Sequence, residues 1–164
     1  MIQKKICMLG AYGVGKTSLV KRFVESLFDE RYLTTIGVKM DKKSLEVNGA
    51  QLALMIWDLA GEDELEQVRI SHLRGASGYI LVADGCRGST LERAIALKEL
   101  VDETIGRLPF VLALNKVDLH SSWEINSTSK PLICEHSSSL IQTSAKTGHG
   151  VEEMFRVLAT KMLA

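Results

Sequence analysis

Gly10-Ala11-Tyr12-Gly13-Val14-Gly15-Lys16-Thr17 is a glycine, four variable residues, then Gly-Lys-Thr. These residue types at this spacing suit the cradling of phosphate. The glycines let a main chain wrap closely around an anion with its N–H groups turned inward. A helix opening near Lys16 would aim its positive end at the same charge. The Lys16 ammonium can reach β- and γ-phosphates, and the Thr17 hydroxyl can ligate magnesium. Gly13, Val14, Gly15, Lys16, Thr17 and Ser18 are therefore the candidate phosphate-contacting residues. Further on, Asp58-Leu59-Ala60-Gly61 closes an apolar run. An aspartate at the carboxyl end of a buried strand suits a water-mediated magnesium contact, and Gly61 lets the main chain approach a terminal phosphate. Taken alone, that short motif reads equally well as a turn.

A second group of residues can read a base. Asn115-Lys116-Val117-Asp118 follows another apolar run. Asp118 can accept hydrogen bonds from the ring N–H and the exocyclic amine of guanine. Adenine lacks both donors, so the wrong base would leave a carboxylate unpaired. The Lys116 stem can lie along the base, and Asn115 can tie this loop to the phosphate loop. Ser144-Ala145-Lys146 comes later, and the Ala145 N–H can meet the guanine carbonyl oxygen.

The elements that must position these loops follow from periodicity. Apolar runs recur at Ile6 to Leu9, Leu52 to Trp57, Tyr79 to Ala83 and Phe110 to Leu114, with a weaker one at Leu140 to Gln142. Continuous runs of this kind suit strands of a parallel sheet covered on both faces. Val38 to Val47 and Gln51 to Asp58 flank Asn48-Gly49, a hairpin signal that makes the first of these an antiparallel edge strand. Leu19, Val20, Phe23, Val24 and Leu27 share one face of a helix starting near Lys16. Ser89 with Glu92 resembles a capping box opening a helix to about Gly106. Val151, Met154, Phe155, Leu158 and Met162 form the inner stripe of a terminal helix. The stretch from His120 to Ser139, rich in Ser, Thr and Asn and carrying Pro131, predicts only a short or irregular helix. The expected fold is a three-layer α/β P-loop fold: a six-stranded, mostly parallel sheet with one antiparallel edge and helices on both faces. The motifs then stand together at the carboxyl edge of the sheet, where open α/β sheets bind ligands.

Once these motifs are assembled, the chain resembles the Ras superfamily of small GTPases, and most of all its Rab branch. The similar stretches are GAYGVGKTSLVKRF, Thr34-Thr35-Ile36-Gly37, WDLAG, NKVD and TSAK, and the likeness runs over about residues 3 to 163. It implies GTP and GDP as ligands, with magnesium held by Thr17, Thr35 and Asp58. It implies that Thr35 meets the γ-phosphate in the GTP state, that Phe28 packs on the guanine and that Tyr32 covers the phosphates. Lys16, Thr35, Gly61 and the residue at Glu62 would serve hydrolysis. It further implies effectors, exchange factors and GTPase-activating proteins acting through residues about 30–40 and 60–74. The chain departs from the family at Glu62, where glutamine is usual, and at Tyr12, where glycine or another small residue is usual.

Length and composition fit this picture. The 164 residues suggest a single domain, 1–164, large enough to bury a core without disulfides or structural metal. Twenty basic residues balance twenty acidic ones, which favours neither nucleic acid nor an anionic membrane. Cys7, Cys86 and Cys134 are far apart and have no zinc spacing with the histidines, so a reducing compartment is expected, with Cys7 in the core. No apolar run is long enough to span a bilayer, Ile2 replaces the glycine that myristoylation needs, and Lys161-Met162-Leu163-Ala164 holds no prenylation cysteine. A cytoplasmic monomer without a membrane anchor of its own is the expectation. The sequence is compatible with a slow GTPase switch, with a pseudo-GTPase held in the GTP state, and, less well because of Asp118, with an ATP-dependent phosphotransferase. It is equally compatible with a domain of a longer protein.

Glu62 decides between the first two. A glutamine there can accept from the attacking water and donate to the γ-phosphate, whereas an ionised glutamate has no hydrogen to donate. Its charge near the transition state would cost on the order of 1–3 kcal/mol, about ten- to a hundredfold in rate. Glu62→Gln is expected to accelerate single-turnover GTP hydrolysis; slower hydrolysis would make Glu62 the working water-positioning residue.

Overall fold

The computed structural model describes residues 1–25, 38–59, 70–125 and 140–164. Strand β1 (Ile2–Gly10) leads through the glycine loop into helix α1 (Lys16–Glu25). A hairpin follows, β2 (Val38–Val47) and β3 (Ala50–Leu59). Next come the short α2 (Ile70–Leu73), β4 (Gly78–Asp84), α3 (Ser89–Thr104), β5 (Phe110–Asn115), a 3-10 turn at Val117–Ser122, β6 (Leu140–Thr143) and α4 (Val151–Leu163). The strands make one sheet in the order β2-β3-β1-β4-β5-β6. Every pairing is parallel except that of β2 with β3. Their turn is made by Asn48 and Gly49, both at positive φ (51° and 79°), as a two-residue hairpin requires.

The alternation of the pleat sorts the apolar runs into two cores. Ile6, Met8, Ile80, Val82, Val111 and Ala113 face α1 and α4. Their immediate neighbours Cys7, Leu9, Tyr79, Leu81, Leu112 and Leu114 face α2 and α3. A strand covered on both faces must be apolar at every position, which is why β1, β4 and β5 read as unbroken runs. On the first face Phe23 of α1 stacks on Phe155 of α4, ring centroids 4.0 Å apart. Cys7 is fully buried, and burial raises its thiol to about 11, so it acts as a small apolar filler.

One local expectation changes. The Ser89–Glu92 capping box does not form. Ser89 is already inside α3, Gly88 takes the cap position, and no side chain caps the helix. Thr90 anchors that end instead: its buried hydroxyl accepts from the Asp84 N–H (2.8 Å) and reaches the Arg87 carbonyl (2.7 Å). After Asp118 the chain makes 3-10 turns to Ser122 and then extends at Trp123; residues 126–139 lie outside the described residues. Among the described residues no helix is long and apolar enough to cross a membrane.

Candidate nucleotide site

The parallel strands bring their carboxyl ends to one edge, and β4, β5 and β6 each end in a polar residue. Register places Asp84 of β4 opposite Asn115 of β5, and Asn115 opposite Thr143 of β6. Asp58 stands one residue before the end of β3, opposite Met8 of β1. These side chains are buried: Asp58, Asp84, Asn115 and Thr143 are at most 2% exposed. Buried polar groups need partners, and here the partners are the loops of the site.

The glycine loop is built as a cradle. Gly13 and Gly15 lie at φ of 75° and 103°, where L side chains are strained. A Cβ at Gly15 would collide with the amide of Asn115, and one at Gly10 would meet the Val82 carbonyl. Val14 buries its side chain in the core, so only its main chain can serve a ligand. Lys16 is 6% exposed and donates to the Gly10 and Ala11 carbonyls at 2.9 and 3.1 Å. A buried ammonium at a helix N-terminus is poised for an anion. Ser18 is half-buried in the first turn of α1. Tyr12 is 42% exposed.

Magnesium chemistry can be tested on Thr17 and Asp58. The Thr17 hydroxyl donates to Oδ2 of Asp58. Oδ1 of Asp58 is buried and has no hydrogen-bond partner among the described residues. Burial raises the Asp58 carboxyl above its ordinary range, against the hydrogen bond from Thr17 and the charge of Lys16. An unsatisfied buried carboxylate oxygen beside a hydroxyl fits a hard cation or its water shell. No group of three or more His, Cys, Asp or Glu side chains among the described residues could hold a metal. A magnesium ion here would therefore draw further ligands from phosphate oxygens and water, as this ion commonly does.

The base loops are tied into the same frame. The Asn115 amide donates to the Val14 carbonyl (3.0 Å), while its oxygen accepts from the Thr143 hydroxyl (3.1 Å). Lys116 sits at φ 74°, a strained conformation for a lysine. It is held there by the Trp123 indole N–H on its carbonyl (2.8 Å) and by its own ammonium on Asp84 (2.8 Å) and the Gly13 carbonyl (3.4 Å). Asp118 is exposed, and Oδ1 accepts from the Ser144 hydroxyl at 2.8 Å. That contact joins the two segments expected to read a base. Ala145 is buried in the same turn and Lys146 is exposed. Arg22 of α1 donates to the carbonyls of Lys146 and Thr147. Phe28, Tyr32, Thr35, Gly61 and Glu62 lie outside the described residues, as do 30–37 and 60–69 of the expected partner-binding stretches. Of the remainder of those stretches, Met40 is 63% exposed on β2.

Sequence reasoning passed over Asp84, Arg87, Trp123, Thr143 and Arg22. Asp84 and Thr143 carried a usable signal, since each ends an apolar run as Asp58 and Asn115 do. Arg22 and Trp123 carried none, because their partners are main-chain carbonyls brought near by the fold, and the same holds for the contact of Arg87 with Tyr12.

Residues 5–164 match the model of the Ras family. The Ras-related protein Rab-13 of Mesocricetus auratus is 31% identical over 161 residues, covering 97% of this chain and 79% of that protein. The Ras-related protein Rab-30 of Homo sapiens is 34% identical over 162 residues, covering 98% and 80%. The Ras-related protein RabJ of Dictyostelium discoideum is 30% identical over 164 residues, covering 99% and 64%.

The close approach of Gly15 to Asn115 makes a testable demand. Gly15→Ala adds a strained φ and a collision with the Asn115 amide, and should lower stability by about 1–3 kcal/mol in urea unfolding. Adding Asn115→Ala removes the collision, so the two changes together should destabilise less than the sum of each alone. Strict additivity would mean that the two residues do not meet.

Proposed function

The chain belongs to the Ras family, and from that premise we propose that it is a Rab-like guanine-nucleotide switch that binds GTP and GDP with magnesium and hydrolyses GTP slowly. One observation carries this reading. Asn115 joins the phosphate loop, through the Val14 carbonyl, to the strands that present Asp118 and Ala145. A ligand that fills both ends must have phosphates at one and a flat donor-bearing base at the other.

In this reading the N–H groups of Gly13, Val14 and Gly15 and of the first turn of α1 (Lys16, Thr17, Ser18) receive the phosphates. Lys16 supplies a fixed positive charge from a buried position. Thr17 and Asp58, the latter through water, would hold the magnesium ion with Thr35 as the third residue, and the ion would supply positive charge against the phosphate oxygens. Asp118 takes the guanine ring N–H and amine, Ser144 keeps its carboxylate in place, and the Ala145 N–H meets the base oxygen. Lys116 lies along the base, Lys146 borders it and Phe28 packs on it. Tyr32 covers the phosphates.

The switch itself is assigned to Thr35 and Gly61, which bind the γ-phosphate and relax once it has left. Effectors, exchange factors and activating proteins would read that change through residues about 30–40 and 60–74. Glu62 in place of glutamine keeps hydrolysis slow, and Tyr12 stands where an arginine from an activating protein would pass.

Base choice provides the test. Asp118→Asn turns one acceptor into a donor, which suits xanthine better than guanine. GTP binding should weaken by about a hundred- to ten-thousandfold, the scale of two unpaired hydrogen bonds to a charged group. Xanthosine triphosphate binding should improve. Equal affinity of the unaltered protein for ATP and GTP, measured by competition, would contradict the assignment.

A further inference from the structure

In a trans peptide the C=O and the following N–H point in opposite directions. A donor that holds the carbonyl of one residue therefore also aims the next residue's N–H. In the phosphate loop the carbonyls of Tyr12, Gly13 and Val14 are held by Arg87, Lys116 and Asn115 respectively. Lys116 and Asn115 belong to the base loop. Arg87 belongs to neither motif, and lies in the turn between β4 and α3.

Its geometry is that of a bridge. Nη2 donates to the Tyr12 carbonyl at 2.8 Å, and Nε donates to Oδ2 of Asp84 at 3.2 Å. Asp84 is 1% exposed, and its carboxylate also accepts from the Cys86 N–H and from Lys116. Burial would raise that carboxyl, but the hydrogen bond from Lys116 and those from Cys86 and Arg87 outweigh it and leave it below the ordinary range. Asp84 thus stays ionised and anchors two cations that grip adjacent carbonyls of one loop. The turn is stiff: the Arg87 N–H returns to the Asp84 carbonyl, and the Arg87 carbonyl accepts from Thr90. An arginine suits this place because its planar fork serves two acceptors at once, which a lysine's single ammonium does less well.

We propose that Arg87 is a positioning residue for phosphate: by fixing the Tyr12 carbonyl against Asp84, it holds the Gly13 N–H turned into the cradle and so slows nucleotide release. The inference rests on the nucleotide reading above. It assigns to the β4–α3 turn a share of the phosphate grip that none of the phosphate or base motifs supplies.

Release of fluorescent methylanthraniloyl-GDP into excess GDP measures the effect. Arg87→Ala should speed release about tenfold, as expected for one charge-assisted hydrogen bond at a partly exposed site. Arg87→Lys should fall between the two. The ³¹P resonance of the bound GDP β-phosphate should move in Arg87→Ala, while the guanine imino proton resonance stays in place. An unchanged release rate would overturn the proposal. So would faster release with the β-phosphate resonance unmoved, or with the imino resonance shifted alongside it, since both mark general loosening. Failure of the unaltered protein to retain GDP would overturn the nucleotide reading and this inference together, whereas retention with no effect of Arg87 overturns this inference alone.

Discussion

The site depends on one buried amide. Asn115 is 2% exposed, at the end of β5, and spends both halves of its side chain on neighbours: nitrogen to the Val14 carbonyl, oxygen to the Thr143 hydroxyl. The bond to Val14 spans 101 positions of sequence, so it exists only when the sheet is formed. An asparagine can do this because it offers donor and acceptor on one planar group. Remove either partner and a buried polar atom is orphaned, which costs about 1–3 kcal/mol. Satisfying both at once fixes the distance between the phosphate loop and the base loops. Gly15 follows from this constraint, since any larger residue would occupy the place of the amide.

The charged groups follow the same logic. Lys16, Asp58 and Asp84 are buried, and burial of a lone charge is unfavourable. Asp84 resolves the problem inside the protein, with Lys116, Arg87 and a main-chain N–H. Asp58 resolves it only in part, through Thr17, and one of its oxygens has no partner among the described residues. Lys16 is turned back on the carbonyls of its own loop. The contrast separates scaffold from ligand site: Asp84 is complete without a ligand, whereas the arrangement at Asp58 and Lys16 is the kind that a metal–phosphate group would complete.

Much of this was legible in advance. The apolar runs that gave β1, β3, β4 and β5 are unbroken because each is covered on two faces, and the Asn48-Gly49 turn marked the antiparallel edge. The glycine loop and its neighbour Asn115 were legible because close backbone approach admits few residue types. The start of α3 was misread, since Ser89 and Glu92 have the spacing of a capping box but the buried Thr90 fastens that end to β4. A local pattern could not register a tertiary partner. The same limit hid Trp123 and the contact of Arg87 with Tyr12, since main-chain acceptors leave no trace in residue type.

A frame fixed by buried hydrogen bonds, with a cationic cradle at one end and a carboxylate at the other, is suited to one ligand class. The nucleotide carried by the protein after purification in magnesium tests this most directly, released by denaturation and identified by chromatography. Guanine nucleotide, GDP or GTP, is expected in stoichiometric amount. Adenine nucleotide in its place, or folded protein that carries none and takes up no added GDP, would contradict it.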